Sequence, residues 1–198
     1  MAARLLVGLG NPGAEYEGTR HNVGFEVLDR VASIQGCSFE ERGQSLVAEG
    51  QTESREGSEP VSFRLAKPQT FMNRSGQSLS DLLDVQDEAF EWLVVCDDFQ
   101  LPLGRLRTRI KGSAGGQLGL DSILRTVGHQ EVPRLRCGIG DPGSIAAEEY
   151  VLSPFKRSEQ SLAAEMIEQA AIALAIWIGN GDWDGLAQRT NTPHGETG

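Results

Sequence analysis

A strand that runs into a glycine- and proline-rich turn, and not into a helix, constrains this fold most tightly. Arg4-Leu-Leu-Val7 reads as a short apolar strand, and Gly8-Leu-Gly-Asn-Pro-Gly13 follows it directly. The spacing Gly8-x-Gly10-x-x-Gly13 has the letters of a dinucleotide fingerprint. That fingerprint needs a helix to open inside the glycine turn, so that its first N–H groups meet a pyrophosphate. Here Pro12 lies in the loop and Ala14 to Gly18 carry no sustained apolar face. Helical spacing begins only near Asn22, where Val23, Val27, Leu28, Val31 and Ile34 recur with Phe25 on their flank. No second strand ending in an acidic ribose ligand follows at the usual offset of ~20 residues. The segment is therefore strand, long loop, helix, and no nucleotide cofactor is expected.

That loop concentrates chemistry: Asn11, Tyr16 and Thr19-Arg-His-Asn22. Only two other histidines occur. His129 sits in a polar connection, Gly128-His-Gln-Glu-Val-Pro133, and His194 in a tail without apolar pattern. His21 is thus the first candidate for a neutral-pH general base. Its structural alternative is a helix-capping or partly buried histidine.

The remaining pattern is alternating α/β. Strands are expected over 4–8, 44–49, 61–66, 92–96, 104–110 and 134–139, and helices over 22–35, 73–84, 116–127, 158–178 and 182–189. The helix over 158–178 is the clearest. Leu162, Met166, Ala170, Leu174, Trp177 and Ile178 line one side, and Gly179 ends it. Gly50–Pro60 reads as a polar loop, and the residues from Thr190 as disordered. Interleaved elements imply a single α/β domain over residues 1–190, with a mixed, twisted sheet covered by helices on both faces. Residues 191–198 are read as a flexible tail.

Composition narrows the functional classes. No run looks apolar enough to span a bilayer, and no charged-then-apolar leader opens the chain, so a cytoplasmic protein without a membrane partner is expected. Cys37, Cys96 and Cys137 are odd in number and far apart, which indicates neither a disulfide framework nor a zinc site. The formal charge of −10 argues, taken alone, against a nucleic-acid partner. One segment breaks that trend. In Gly104-Arg-Leu-Arg-Thr-Arg-Ile-Lys-Gly112, period-two geometry puts Arg105, Arg107, Arg109 and Lys111 on one strand face. Like charges side by side are costly unless an anion compensates them. Charged edge strands do occur as solvated edges, but no acidic residue interrupts this run, which favours a phosphate-binding strand.

Two further clusters follow strands. In Lys67-Pro-Gln-Thr-Phe-Met-Asn73-Arg-Ser-Gly76, Asn73 suits a helix N-cap and equally an amide presented to a cleft. Trp92-Leu-Val-Val-Cys-Asp97-Asp98 ends a buried strand in two carboxylates, at a strand end where α/β sheets bind ligands; an Asx-turn is the alternative. Further ligands for a metal are not evident. Neither Gly-x-Ser-x-Gly nor a Cys/His signature for a covalent nucleophile is present.

Taken together these segments resemble the bacterial-type peptidyl-tRNA hydrolases, from about Leu5 to the terminal helices. The motifs occur in the family's order: Val7-Gly-Leu-Gly-Asn-Pro-Gly13 with Tyr16 and Thr19-Arg-His-Asn22, then Lys67-Pro-x-Thr-Phe-Met-Asn-x-Ser-Gly76, Asp97 with Leu101-Pro102, Gly115-Gly116-x-x-Gly119-Leu120, and Arg134-Leu-Arg-x-Gly-Ile-Gly140. The resemblance implies a monomer that hydrolyses the ester between peptide and tRNA without metal or organic cofactor. It implies that His21 activates water and that Asp97 orients its imidazole. Asn11 and Asn73 would hold the terminal nucleotide and peptide backbone, Tyr16 and Asn22 would occupy cleft positions, and Arg107 and Arg109 would face the tRNA.

The chain departs from the family pattern at Gly115-Gly-Gln-Leu-Gly-Leu120, where Gly-Gly-His-Asn-Gly-Leu is usual. Leu118 thereby replaces an asparagine placed near the attacking water or the developing oxyanion. Gln117 precedes it with an amide. Gln100 replaces an acidic residue, and Cys96 a frequent histidine. Two other functional classes remain at this stage. One is a non-catalytic RNA-binding or splicing-accessory protein on the same scaffold, and the other a hydrolase of small esters or N-blocked amino-acyl compounds.

Overall fold

The computed structural model describes residues 3–52, 59–82 and 90–191. Seven strands, β1 (Ala3–Gly8), β2 (Glu40–Arg42), β3 (Ser45–Gln51), β4 (Ser62–Pro68), β5 (Phe90–Asp98), β6 (Leu106–Arg109) and β7 (Arg134–Gly138), form one sheet in the order β2-β3-β4-β1-β5-β7-β6. The central strands β4, β1, β5 and β7 are parallel, while β2, β3 and β6 pair antiparallel at the two sides. Six helices complete the described residues: α1 (Val23–Gln35), α2 (Ser75–Leu82), α3 (Leu118–Val127), α4 (Ala147–Val151), α5 (Gln160–Asn180) and α6 (Trp183–Asn191). Short 3-10 turns occupy Ala14–Tyr16, Arg20–Asn22 and Met72–Arg74.

The sheet is covered on both faces. On β1 and β5, Leu6, Leu93 and Val95 pack with α1 and α5, while Leu5, Val7, Val94 and Cys96 pack with Leu79 of α2 and Leu120 and Ile123 of α3. Alternate residues thus serve opposite cores, as a parallel strand buried on both faces requires. This is the expected α/β class, with a mixed sheet and helices on both sides. Because the four central strands are parallel, the loops after β1, β4 and β5 emerge at the same edge. Gly24 brings α1 onto that edge: a Cβ there would lie 2.5 Å from the carbonyl oxygens of Leu9 and Val95. As read from the sequence, the helix after the glycine turn starts only at Val23.

Several boundaries differ from expectation. The all-exposed β2 and the five-residue α4 were not anticipated, since neither is long enough to show a period. The strand expected over 104–110 is limited to Leu106–Arg109, so Arg105 and Lys111 lie beyond its ends and only Arg107 and Arg109 share a face by strand geometry. Gly179 does not end α5; the helix continues to Asn180 and is closed by Gly181 in the left-handed region (φ 66°). Leu162, expected in the core, is 45% exposed. By length and composition α5 also meets the requirement for a membrane span, contrary to the expectation that no run would. Its charged Glu165 and Glu168 mask this when the sequence is read as uninterrupted apolar runs. Here its Ala163, Met166, Ala170, Leu174 and Trp177 are packed in the core.

The C-terminal end is also different. Thr190 is 2% exposed and ends α6 together with Asn191, so these residues are ordered parts of the domain. The Thr190 and Thr108 hydroxyls lie 2.7 Å apart. Asn191 Oδ1 accepts the Thr108 backbone N–H (2.7 Å) and its Nδ2 donates to the Thr108 carbonyl (3.4 Å). The remainder of the expected tail, 192–198, and His194 with it, lie outside the described residues.

Candidate active site

The loop after β1 is fixed by side-chain amides. Asn22 Nδ2 donates to the Asn11 carbonyl (2.9 Å), and Asn22 Oδ1 accepts the Asn11 N–H (2.8 Å). The Asn11 side chain then bridges to the loop after β4, its Oδ1 accepting the Met72 N–H at 2.8 Å. Two sequence-distant loops are thus tied by one buried residue, which holds the 3-10 turn of Met72–Arg74 against the glycine-rich turn.

Beside Asn22 in the same turn, Arg20 and His21 turn to different partners. Arg20 is fully enclosed. Its Nη1 donates to Ser153 Oγ (2.7 Å) and to the Pro154 carbonyl, its Nη2 donates to Glu159 Oε2 (2.6 Å), and its guanidinium lies 4.4 Å from the Tyr150 ring centroid. An unpaired buried guanidinium is costly, so this set of partners fixes the turn against the segment between α4 and α5. His21, only 7% exposed, meets Asp97, 3% exposed, at the end of β5. Nδ1 is 3.0 Å from each carboxylate oxygen. A carboxylate accepts only, so Nδ1 carries the proton and Nε2 is the basic nitrogen.

Asp97 has a second donor. Gln117 Nε2 is 3.0 Å from Asp97 Oδ1, while Gln117 Oε1 accepts the Leu120 N–H at 2.6 Å and caps α3. Gly115 and Gly116, with φ of 62° and 90°, make the left-handed turn that brings Gln117 inward. Asp98 leaves the strand differently: its Oδ1 accepts the Gln100 N–H (2.8 Å) as an Asx-turn, and its Oδ2 forms an ion pair with Arg136 Nε (2.7 Å). Burial pushes the Asp98 carboxyl up, opposed by the Gln100 N–H and Arg136. Burial likewise pushes the Cys96 thiol up, which leaves it inert as a nucleophile.

These groups line a cleft of about 360 Å³. Asn11, His21, Asn73, Asp97, Gln117 and Arg136 supply its polar wall, and Phe71, Met72, Leu118, Val151 and Leu152 its apolar one. Phe71 and Leu118 stand 57% exposed at its mouth. Asn73 is in the 3-10 turn whose N-cap is Phe71, so it is not a cap itself, and it lines the cleft. Tyr16 is half-buried in its own 3-10 turn, and Asn22 is occupied by Asn11; neither lines this cleft. Among the described residues no group of three His, Cys, Asp or Glu is arranged to hold a metal ion.

Arg107 and Arg109 line a separate cleft of about 600 Å³ with Arg105, Leu101, Pro102, Leu106 and Asn191. The two clefts are neighbours through the sheet, because Arg107 on β6 pairs with Arg136 on β7, and Arg136 also lines the His21 cleft. Sequence reading missed Arg136, although Arg134-Leu-Arg136 belongs to the motif quoted for the last strand. It missed Arg20 for a different reason: a buried arginine has no local signature.

The peptidyl-tRNA hydrolase family model matches residues 5–197. The chain is 41% identical to the peptidyl-tRNA hydrolase of Carboxydothermus hydrogenoformans over 179 residues, covering 89% of this chain and 92% of that one. It is 49% identical to that of Parasynechococcus marenigrum over 167 residues, covering 79% of each. The crystal structure of the Acinetobacter baumannii peptidyl-tRNA hydrolase superposes with a TM-score of 0.80 at 32% identity, covering 96% of this chain and 95% of that one. With the motifs, the sheet and the match along nearly the whole length in agreement, the chain belongs to the peptidyl-tRNA hydrolase family.

Proposed function

We propose that the cleft hydrolyses the peptide–tRNA ester by general-base catalysis, with His21 as the base and Asp97 as its orienting carboxylate. The observation that carries this reading is the buried His21–Asp97 pair, 3.0 Å apart, with Nε2 left for the cleft. Nε2 takes a proton from water as the water oxygen attacks the ester carbonyl. The tetrahedral intermediate then collapses: the carbon–oxygen bond to the ribose breaks, the leaving ribose oxygen takes the proton back from the imidazolium, and the peptide leaves as a carboxylic acid that loses its remaining proton to solvent. Asp97 favours the cation that exists between these steps.

Asn73 offers the substrate an amide that donates and accepts without titrating. Asn11, whose Oδ1 is already engaged with Met72, has Nδ2 left for substrate. Asn22 acts by holding Asn11, and Tyr16 by supporting the loop, its carbonyl accepting the Thr19 hydroxyl at 2.7 Å. Arg107 and Arg109 receive tRNA phosphates, with Arg136 continuing the cationic path into the cleft. Phosphate contacts carry no base identity, which suits an enzyme that accepts many tRNAs. We further propose that it works as a cytoplasmic monomer, without cofactor or membrane.

The test is release of free tRNA from an N-acetyl-aminoacyl-tRNA by wild type and His21→Ala across a salt series. Cleavage that disappears in the variant and weakens with salt supports the mechanism. Binding of tRNA without cleavage by the wild type would instead support the RNA-binding role.

A further inference from the structure

We infer that Gln117 is a positioning residue: its amide fixes the Asp97 carboxylate and moderates how strongly that carboxylate draws a proton onto His21. The inference rests on His21 being the base. The amide cannot be reversed without loss, because Oε1 is committed to the Leu120 N–H at the start of α3 (2.6 Å). That commitment aims Nε2 at Asp97 Oδ1 (3.0 Å), with Met72 Sδ also within 3.2 Å. One oxygen of Asp97 therefore receives hydrogen bonds from both His21 and Gln117, while the other receives His21 alone. The helix cap is in effect the support for the catalytic carboxylate.

A donor on a carboxylate stabilises its charge and reduces the pull it exerts on a neighbouring imidazolium. Unlike an imidazole, the Gln117 amide donates at every working pH. The other ionisable groups around the pair are Cys96 and Asp98 on β5, Arg136 and Cys137 on β7, and Glu148 at α4. Substitution at Gln117 leaves all of them in place.

Two variants separate the two ends of the amide. Gln117→Asn retains a favourable helix cap but is too short by one methylene to cap and reach Asp97 together. Gln117→Met removes both contacts at similar length. NMR titration of the His21 ring in the free enzyme is expected to move up by about half a pH unit or more in both variants, with exposed His129 unmoved as the internal control. kcat is expected to fall about tenfold, with KM little changed. Thermal stability should drop mainly in Gln117→Met. A His21 midpoint that stays put or moves down in both folded variants overturns the inference. Because the titration needs no substrate, failure of the general-base reading shows separately, as undiminished cleavage by His21→Ala.

Discussion

The His21 corner and the β6 edge both face the proposed substrate, yet they are built in opposite ways. At the corner the polar groups around the base are buried and held: Asn22 holds Asn11, Asn11 holds the loop of Met72, and Gln117 and His21 hold Asp97. At the edge Arg107 and Arg109 are exposed, on a strand only four residues long. The difference matches the two tasks proposed for them. Moving a proton at one atom demands fixed geometry, so rotamer freedom is removed in advance. Gathering a polyanion demands charge more than geometry, and long mobile cations supply it.

Substitutions on each side should separate chemistry from capture. The largest effect is expected for His21→Ala, which should lower single-turnover cleavage by ~10²–10⁴-fold with tRNA affinity retained. A parallel loss of affinity would mean that the corner also binds. Reversing both cations, Arg107→Glu with Arg109→Glu, should weaken tRNA binding by about tenfold or more and flatten its salt dependence by about two phosphate contacts. Hydrolysis of a small N-blocked ester should scarcely respond; an equal loss there would erase the division of labour. Leu118→Asn, which returns an amide to the cleft mouth, should raise kcat by several-fold, within the ~10²–10³ that an oxyanion donor can contribute. An unchanged rate would show that the Leu118 position has been reassigned. The smallest effect, about 1 kcal/mol, is expected for Asn191→Ala, read by denaturation together with faster amide exchange at Thr108. Exchange at Val94, in the centre of the sheet, should not follow it.

The two regions also differed in how far they could be read in advance. Central strands such as β1 and β5 announce themselves because residues buried on both faces must be apolar in succession, and α1 because its apolar positions repeat each turn. The basic edge was visible as a run of cations, although its strand proved shorter. Candidate residues His21, Asp97, Asn11 and Asn73 were nameable by type and place, and they converge on one cleft. What links them was not legible. The partners of Arg20 lie more than 130 residues away, and Gln117 reaches Asp97 only because α3 happens to begin over the end of β5. Such pairs are products of topology and leave no period behind. Thr190 and Asn191 were misread for the same reason: polar composition resembles a tail, but their partners are on β6.

The clasp of Asn191 on Thr108 has a temporal consequence. During synthesis Thr108 is added 83 residues before the side chain that closes its outer backbone groups. At ~5–20 residues per second the delay is roughly 4–17 s. Once β7 has followed, the cationic strand has a partner on one side only, and the residue that finishes it is still to be added.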